Sequence, residues 1–216
     1  MLNISKFLIL EKLLDRFSIS YLKQLEDPLE IYAYIRSLNL RILGKGSSRI
    51  TFLLSSKKVL KLAHNKKGVG QNEAEVEVYT MPKFKDFTTK IYDFDGQNYY
   101  WLISELVRPI KNEKEFLELT DIRFQDLIYL IEHNEELSPD DPTIFEVVPD
   151  LEKAKWVNNL NKFISESGLL YMDLTELEHW GKTPDGRVII LDYGYSEKVW
   201  EEFYLNKNNR KYSFTR

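Results

Sequence analysis

The sequence contains no cysteine among its 216 residues. This absence excludes disulfide bonds, thiolate catalysis and cysteine-ligated zinc, and it fits a reducing compartment, so we expect a cytoplasmic protein. The first ten residues are apolar, but Lys6 interrupts them and Glu11 and Lys12 follow, with no small-residue cleavage site. The sequence therefore predicts neither a signal peptide nor a membrane span.

An excess of one charge is also lacking, since 30 Lys and Arg stand against 34 Asp and Glu, for a net charge of -4. This balance argues against a protein that binds nucleic acid phosphates. The Gly-x-Ser-x-Gly and Gly-x-x-x-x-Gly-Lys-Ser/Thr motifs are missing, and the three histidines have no metal-ligand spacing. What is present is 43% hydrophobic and 13% aromatic content, enough to build a core in one globular unit of up to two lobes.

The first half of the chain changes from helical to strand-like patterning near residue 38. Apolar residues at helical spacing over 7–17 and 22–32, the latter broken by Asp27-Pro28, predict two helices in an N-terminal extension, 1–37. We expect this extension to cover the truncated second half of the chain or to present a partner surface. Five strands are predicted at 40–43, 50–54, 59–63, 90–94 and 99–105, with a helix at 71–79 that ends before Pro82. We expect an antiparallel sheet in a domain spanning 38–107.

The second half, 108–216, reads mainly as helical. Helices are predicted over 122–134 and 151–164, the latter capped by Asp150 at its start and by Gly168 at its end. A strand over 187–191 follows the Pro184-Asp185-Gly186 turn. The fold class is therefore α+β, with no internal repeat.

Two features of the first half point to phosphate chemistry. Gly44, Gly46 and Ser47 lie at a strand-turn-strand junction, where glycines let backbone N–H groups approach phosphate oxygens; a tight hairpin is the alternative. Lys61 follows about fifteen residues later inside an apolar strand, where it either binds phosphates or points to solvent by alternation. A phosphate-binding lysine needs a carboxylate partner, and the next helix offers Glu73, Glu75 and Glu77, which otherwise form a solvated face.

Two aspartates in the second half follow apolar runs. Asp173 closes the run from Leu169, and Asp192 stands where a strand ends in Tyr193-Gly194. A carboxylate at the end of a buried strand costs free energy unless a cation or hydrogen-bond donors lie next to it. Asp192 is therefore a candidate metal ligand.

In order and spacing, these elements resemble the protein-kinase-like superfamily over roughly 40–194, and in particular its small members from phages and bacteria. The resemblance implies a bilobal fold with a five-stranded antiparallel N-lobe sheet and a reduced, mainly helical C-lobe. It also implies transfer of the γ-phosphoryl group of ATP to a protein or small-molecule hydroxyl, as in serine/threonine kinases, with Mg²⁺ or Mn²⁺. Lys61 and Asp173 would be catalytic, the nucleotide would be bound by Gly44, Gly46, Ser47, Lys61, Glu75 and the hinge backbone at Glu105 and Val107, and Asp192 would bind the metal.

The chain departs from that family's pattern at several positions. Arg49 replaces the third glycine of the Gly-rich loop, which stiffens the loop or adds a guanidinium for phosphate. The asparagine that binds a second metal is replaced by Glu178 or, in a loop one residue longer, by His179, whose imidazole suits Mn²⁺ better than Mg²⁺. No arginine precedes Asp173, and no Ala-Pro-Glu segment follows Gly194.

Three functions remain open at this point. The first is an active kinase with ATP and an unidentified acceptor as partners, and with no membrane or nucleic acid partner. The second is a pseudokinase that binds a nucleotide or a partner without turnover. The third is nucleotidyl transfer to a hydroxyl, which would leave AMP on the acceptor.

Overall fold

A computed structural model describes residues 17–133, 148 and 151–205. These residues form two compact units: the first comprises 17–76, 90–106 and 201–205, and the second comprises 77–89, 107–133, 148 and 151–200. The architecture is α+β, as the sequence predicts, with a five-stranded antiparallel sheet in the first unit. The bilobal kinase-like fold and the domain boundaries drawn from the sequence stay predictions.

The first unit is built on that sheet, whose strand order is β1-β2-β3-β5-β4. Its strands are β1 (Ile42–Lys45), β2 (Arg49–Leu53), β3 (Lys58–Ala63), β4 (Ile91–Phe94) and β5 (Trp101–Glu105). On β3, Lys61 lies opposite Thr51 of β2 and Leu102 of β5. Because residues that are paired across an antiparallel ladder share a face, these three side chains lie on one face of the sheet.

Two short helices cover the opposite face. Helix α1 (Ile19–Leu22) is capped by Ser18, and helix α2 (Pro28–Ser37) begins after the cap Asp27, whose carboxylate accepts a hydrogen bond from the Leu29 N–H at 2.6 Å. Their buried residues join one hydrophobic core with the sheet, made of Leu22, Ile31, Ile35, Leu38, Ile50, Phe52, Leu54, Leu60, Leu62, Trp101 and Ile103. The break that the sequence predicts at Asp27-Pro28 is confirmed, because α2 begins there, and the two described helices pack on the sheet of the first unit. Most of the helix predicted over 7–17 lies outside the described residues.

Helix α3 (Lys66–Thr80) begins five residues before the predicted start at residue 71. Glycine disfavours helices, so Gly68 hid this first turn from the sequence pattern. The structure shows why a glycine is present: a Cβ at position 68 would lie 2.2 Å from the carbonyl oxygen of Ser48. The helix ends before Pro82, as predicted.

The second unit contains three longer helices around one core. They are α4 (Glu113–Thr120), α5 (Phe124–His133) and α6 (Leu151–Ser167), and a short helix, α7 (Glu197–Trp200), follows later. Helix α4 was not predicted, although its cap is visible in the sequence: the Asn112 side chain accepts a hydrogen bond from the N–H of Glu115 at 3.0 Å. Gly168 ends α6 with a φ of +64°, which confirms the predicted glycine cap, whereas Asp150 lies outside the described residues.

A three-stranded sheet, with strand order β6-β7-β8, completes the second unit. Its strands are β6 (Arg108–Pro109), β7 (Trp180–Lys182) and β8 (Val188–Ile190), of which only β8 was predicted. A Cβ at Gly181 of β7 would lie 2.6 Å from Leu191 Cδ2 and 2.8 Å from Val107 Cγ1, so these side chains would have to shift to admit a larger residue. None of the helices in the described part of the chain is long and apolar enough to cross a membrane.

Candidate functional site

Lys61 is the best-defined member of the candidate site in the first unit. Its side chain is buried on β3, and its Nζ donates hydrogen bonds to Oε1 and Oε2 of Glu75 at 2.8 Å and 2.7 Å. Glu75 lies on α3 and is fully buried. Glu77 is exposed and lies 3.7 Å from Lys198, and Glu73 is half-buried. The structure therefore pairs Lys61 with Glu75, the carboxylate that the kinase resemblance favoured.

Helical geometry explains why Glu75 alone among the three glutamates reaches Lys61. Successive helical residues are separated by about 100°, so Glu73 and Glu77 point well away from the direction of Glu75. Positions 71, 72 and 75 share one face by their spacing, and Gln71, Asn72 and Glu75 are all buried. This polar face of α3 was not singled out from the sequence, although the spacing was there to find.

Arg49 belongs to the same buried group. Its Nη1 donates hydrogen bonds to Oε1 of Glu75 at 2.6 Å and to Oδ1 of Asn72 at 3.2 Å. Asn72 in turn donates from Nδ2 to the carbonyl oxygen of Tyr99 at 2.8 Å. The Arg49 guanidinium thus ties the end of the glycine loop to α3, which is consistent with the stiffening that the sequence allowed. Whether Arg49 also contacts phosphate stays a prediction.

The loop that carries Gly44 and Gly46 is open to a ligand. Among the described residues, a Cβ at Gly44 would meet nothing within 4 Å, and one at Gly46 would meet only the carbonyl oxygen of Arg49, at 3.8 Å. Neither glycine has a positive φ. The fold itself therefore does not require glycine at these two positions, whereas close approach of a ligand to the backbone would.

The tip of this loop is held by the residues that follow β3. The carbonyl of Ser47 accepts a hydrogen bond from Asn65 Nδ2 at 2.8 Å, and the carbonyl of Ser48 accepts one from the N–H of His64 at 3.0 Å. The Ser47 hydroxyl also receives a hydrogen bond from Lys67 Nζ at 2.7 Å. The carbonyl oxygens of Ser47 and Ser48 are therefore bonded to residues of the first unit itself.

The predicted hinge residues lie where β5 ends. The N–H of Glu105 donates to the carbonyl of Lys90 at 2.8 Å, so the predicted adenine contacts that remain are the Glu105 carbonyl and the Val107 backbone. Val107 is buried in the second unit. Ser104 lies opposite Val59 on the Lys61 face of the sheet and is 1% exposed. Its hydroxyl has no hydrogen-bond partner within the part of the chain that the structure describes.

Asp173 lies in the second unit on a short 3₁₀ helix, Tyr171–Thr175, and is half-buried. Its carbonyl oxygen is 2.5 Å from Nδ1 of His179, and the next carbonyl, that of Leu174, accepts a hydrogen bond from Trp180 Nε1 at 2.9 Å. Two successive side chains thus bind two successive carbonyls, which fixes the backbone of this loop. Asp173 is the acidic residue in the first turn of this 3₁₀ helix.

Asp192 follows β8 and is half-buried. The N–H of the preceding residue, Leu191, donates to the carbonyl of His179 at 2.7 Å, so the chain at Asp192 runs next to the loop that carries His179. Tyr193 is fully buried, and its hydroxyl donates to the carbonyl of Thr89 at 3.2 Å. The Asp192-Tyr193-Gly194 segment is therefore anchored by its aromatic ring.

Asp192 stays a predicted metal ligand. Within the ranges that the structure describes, no group of three or more His, Asp or Glu side chains could hold a metal. Mg²⁺ does not need such a cage, because it is commonly bound by one or two carboxylates together with substrate phosphates. Glu178 is exposed, and His179 uses Nδ1 on a backbone carbonyl, which leaves Nε2 as its only ligating atom.

No family model matches the chain, and no curated protein matches it. The interpretation of the site depends, for this reason, on the residues that the structure brings together. In the first unit these are Lys61, Glu75 and Arg49, beside the open glycine loop. In the second unit they are the loop of Asp173 and the segment that begins at Asp192.

Proposed function

We propose that this protein is an ATP-dependent phosphotransferase that moves the γ-phosphoryl group to a hydroxyl of a protein or small-molecule acceptor. The observation that carries the proposal is the buried pair in which Lys61 donates to both carboxylate oxygens of Glu75. A buried lysine that is held by a carboxylate and lies near an open glycine loop is well suited to bind phosphates.

The first unit supplies the phosphate-binding groups in this proposal. Gly44 and Gly46 leave room for phosphate oxygens near the backbone, and Lys61 provides a positive charge whose position is fixed by Glu75. Phosphoryl transfer requires positioning and charge stabilisation more than covalent chemistry, so a rigid arrangement of this kind is the main contribution of the protein.

The second unit supplies the carboxylates. Asp173 would accept the proton of the acceptor hydroxyl while that oxygen bonds to the γ-phosphorus and the bond to the β–γ bridging oxygen breaks, releasing ADP. Asp192 would bind Mg²⁺, which neutralises charge on the phosphates. The fixed backbone at Asp173 supports such an orienting role, because the loop need not rearrange to place the carboxylate.

Nucleotide binding without turnover is the second candidate function. It is favoured by the loss of the usual metal-binding asparagine and by the engagement of His179 Nδ1 with the carbonyl of Asp173. A histidine that closes the loop in this way need not bind a metal. If neither Glu178 nor His179 binds an ion, turnover depends on the single site at Asp192.

Calorimetric titration with ATP in the presence of Mg²⁺ tests the proposal. We expect wild type to bind ATP and Lys61→Met to bind it at least about tenfold more weakly, because the variant keeps the length of the side chain and removes its charge. Lys57→Met is the matched control, since Lys57 is an exposed residue of the same unit. Equal affinity of the three proteins, or no binding by wild type, would contradict the nucleotide site.

A further inference from the structure

The tip of the glycine loop lies in close contact with the first turn of α3. Ser47 Oγ accepts a hydrogen bond from Lys67 Nζ at 2.7 Å, although Lys67 lies 20 residues further along the chain. The next residue of the helix is Gly68, where a Cβ would lie 2.2 Å from the carbonyl oxygen of Ser48. The absence of a side chain at Gly68 lets the loop approach the helix, and this approach brings the Ser47 hydroxyl within reach of Lys67.

The same lysine contacts a third part of the chain. Tyr204 lies in the segment Glu201–Leu205, which is a π-helix of five residues and belongs to the first unit. Lys67 Nζ donates a hydrogen bond to the Tyr204 hydroxyl at 3.2 Å and lies 4.9 Å from the centre of its ring, within the range of a cation–π interaction. Phe203 is 4% exposed and anchors the segment. One ammonium group thus joins this segment to the loop tip.

The hydroxyl of Ser47 keeps a donor for a ligand. A serine hydroxyl has one proton to donate and two lone pairs that accept hydrogen bonds. Ser47 uses a lone pair on Lys67, and its proton has no acceptor among the residues that the structure describes. Ser47 is exposed and follows Gly46 in the loop that is open to a ligand. Its proton is therefore available to an anion that binds at the loop.

The contact with Lys67 makes the Ser47 hydroxyl a better donor. Hydrogen bonds in a chain polarise and strengthen one another, so a hydroxyl that accepts from an ammonium group donates more strongly. A hydrogen bond to a charged group contributes more than one between neutral groups, and a phosphate oxygen is such an acceptor. Because Tyr204 also binds the ammonium group, part of the conformational entropy of the long lysine side chain is already lost before a ligand binds.

We propose that Lys67 is a positioning residue that orients the Ser47 hydroxyl as a hydrogen-bond donor to a phosphate of the ligand, and that Tyr204 holds Lys67 in this position. The segment Glu201–Leu205 thereby contributes to phosphate affinity without touching the ligand. The identity of the ligand as ATP rests on the proposed function, whereas the donor at the loop tip serves any polyphosphate.

The test compares the binding of ATP, inorganic tripolyphosphate and adenosine by calorimetry. Ser47→Ala should weaken the binding of both phosphate-bearing ligands by about tenfold and leave adenosine within about twofold, because only the phosphates accept from this hydroxyl. Lys67→Met should weaken the same two ligands by about fivefold, and Tyr204→Phe, which keeps the ring, by about threefold. Lys57→Met and Tyr92→Phe change exposed residues of the same unit and are the matched controls.

A double-mutant cycle with tripolyphosphate shows whether Lys67 acts through Ser47. In the Ser47→Ala background, Lys67→Met should cost less than about twofold in affinity, because the hydroxyl that it positions is already gone. An equal loss in the two backgrounds would mean that Lys67 acts on the phosphates without Ser47, and it would overturn the inference. Unchanged tripolyphosphate binding in Lys67→Met, or in Tyr204→Phe, would also overturn it.

The outcomes separate the role of Lys67 from the proposed function. An equal loss for all three ligands would mean that these contacts only support the fold. Tripolyphosphate binding that depends on Ser47 and Lys67, with no ATP binding, would refute the proposed function and leave the inference standing. If wild type binds neither phosphate-bearing ligand, both proposals are wrong. If Lys67→Met does not fold, Lys67→Ala carries the same prediction, since alanine favours the helix and removes the same ammonium group.

Discussion

Replacing Gly68 by alanine should destabilise the protein, although alanine is the better helix former. In an exposed helix interior this change would add about 1 kcal/mol of stability. Here the new Cβ would lie 2.2 Å from the carbonyl oxygen of Ser48 and 3.1 Å from the Cα of Ala63. Both neighbours are backbone atoms, so the helix or the loop must shift.

Overpacking of this kind typically costs about 1–3 kcal/mol, and a clash with backbone atoms belongs to the upper part of that range, about 2–3 kcal/mol. After the propensity gain of about 1 kcal/mol we therefore expect a net loss of roughly 1–2 kcal/mol in the free energy of unfolding. For a chain of this size that corresponds to a drop of about 2–8 °C in melting temperature. Thermal and urea unfolding measure this loss, with Gly44→Ala as the matched control because no described residue lies within 4 Å of a Cβ at Gly44.

The Gly44→Ala and Gly68→Ala variants should differ in which measurement they affect, the unfolding measurement or the ATP-binding measurement. Gly44→Ala should keep the stability of wild type and weaken ATP binding, because its new methyl group occupies the space proposed for phosphate. Gly68→Ala should lose stability first, and any loss of ATP binding should follow from displacement of Ser48. A Gly68→Ala variant that is as stable as wild type would refute the close packing of loop and helix.

Three further predictions concern single side chains. Ser104→Ala should raise the free energy of unfolding by about 1 kcal/mol, because it removes a buried hydroxyl without a hydrogen-bond partner; a lower urea midpoint would contradict this. Glu75→Ala should cost roughly 3–5 kcal/mol, since it leaves Arg49 and Lys61 buried without their shared carboxylate; a loss below about 1 kcal/mol in urea unfolding would show that the cluster is not formed. The side-chain hydrogen bond from Arg108 lowers the pKa of Glu115 from 4.5 to about 2, so the stability from this pair should be complete above pH 4.5 and lost as the pH falls toward 2; in an NMR titration, Arg108→Ala should return the midpoint toward 4.5.

Much of the first unit could be predicted because its strands are long enough to show a pattern. β3 was expected over 59–63 and spans Lys58–Ala63, and the turn at Asp95-Gly96 separates β4 from β5 as expected. The strands β6 and β7 have two and three residues, which is too short for alternation to be recognised. The sequence did not predict the start of α3 because Gly68 disfavours a helix locally. The reason for this glycine is the close contact with Ser48, and helix propensity carries no information about such a tertiary contact.

The contact between Lys61 and Glu75 could be predicted because a local rule was sufficient. A lysine within a strand and a glutamate on the next helix are sequence features, and the structure brings Lys61 and Glu75 together. Arg49 reaches Glu75 across 26 residues, and the choice between phosphate and Glu75 as its partner depends on tertiary packing. The contact of His179 with the carbonyl of Asp173 depends likewise on the path of the loop.

The most direct test of the central claim follows labelled ATP into an acceptor. Wild type, Asp173→Asn and Asp192→Ala are incubated with Mg²⁺ and a cell lysate of the source, once with γ-labelled ATP and once with α-labelled ATP. The account predicts that wild type transfers the γ-label, that Asp173→Asn loses transfer while binding ATP within about threefold of wild type, and that Asp192→Ala loses metal-dependent binding. Transfer of the α-label would indicate a nucleotidyltransferase, and ATP binding with no transfer of either label would contradict the claim that this protein is a phosphotransferase.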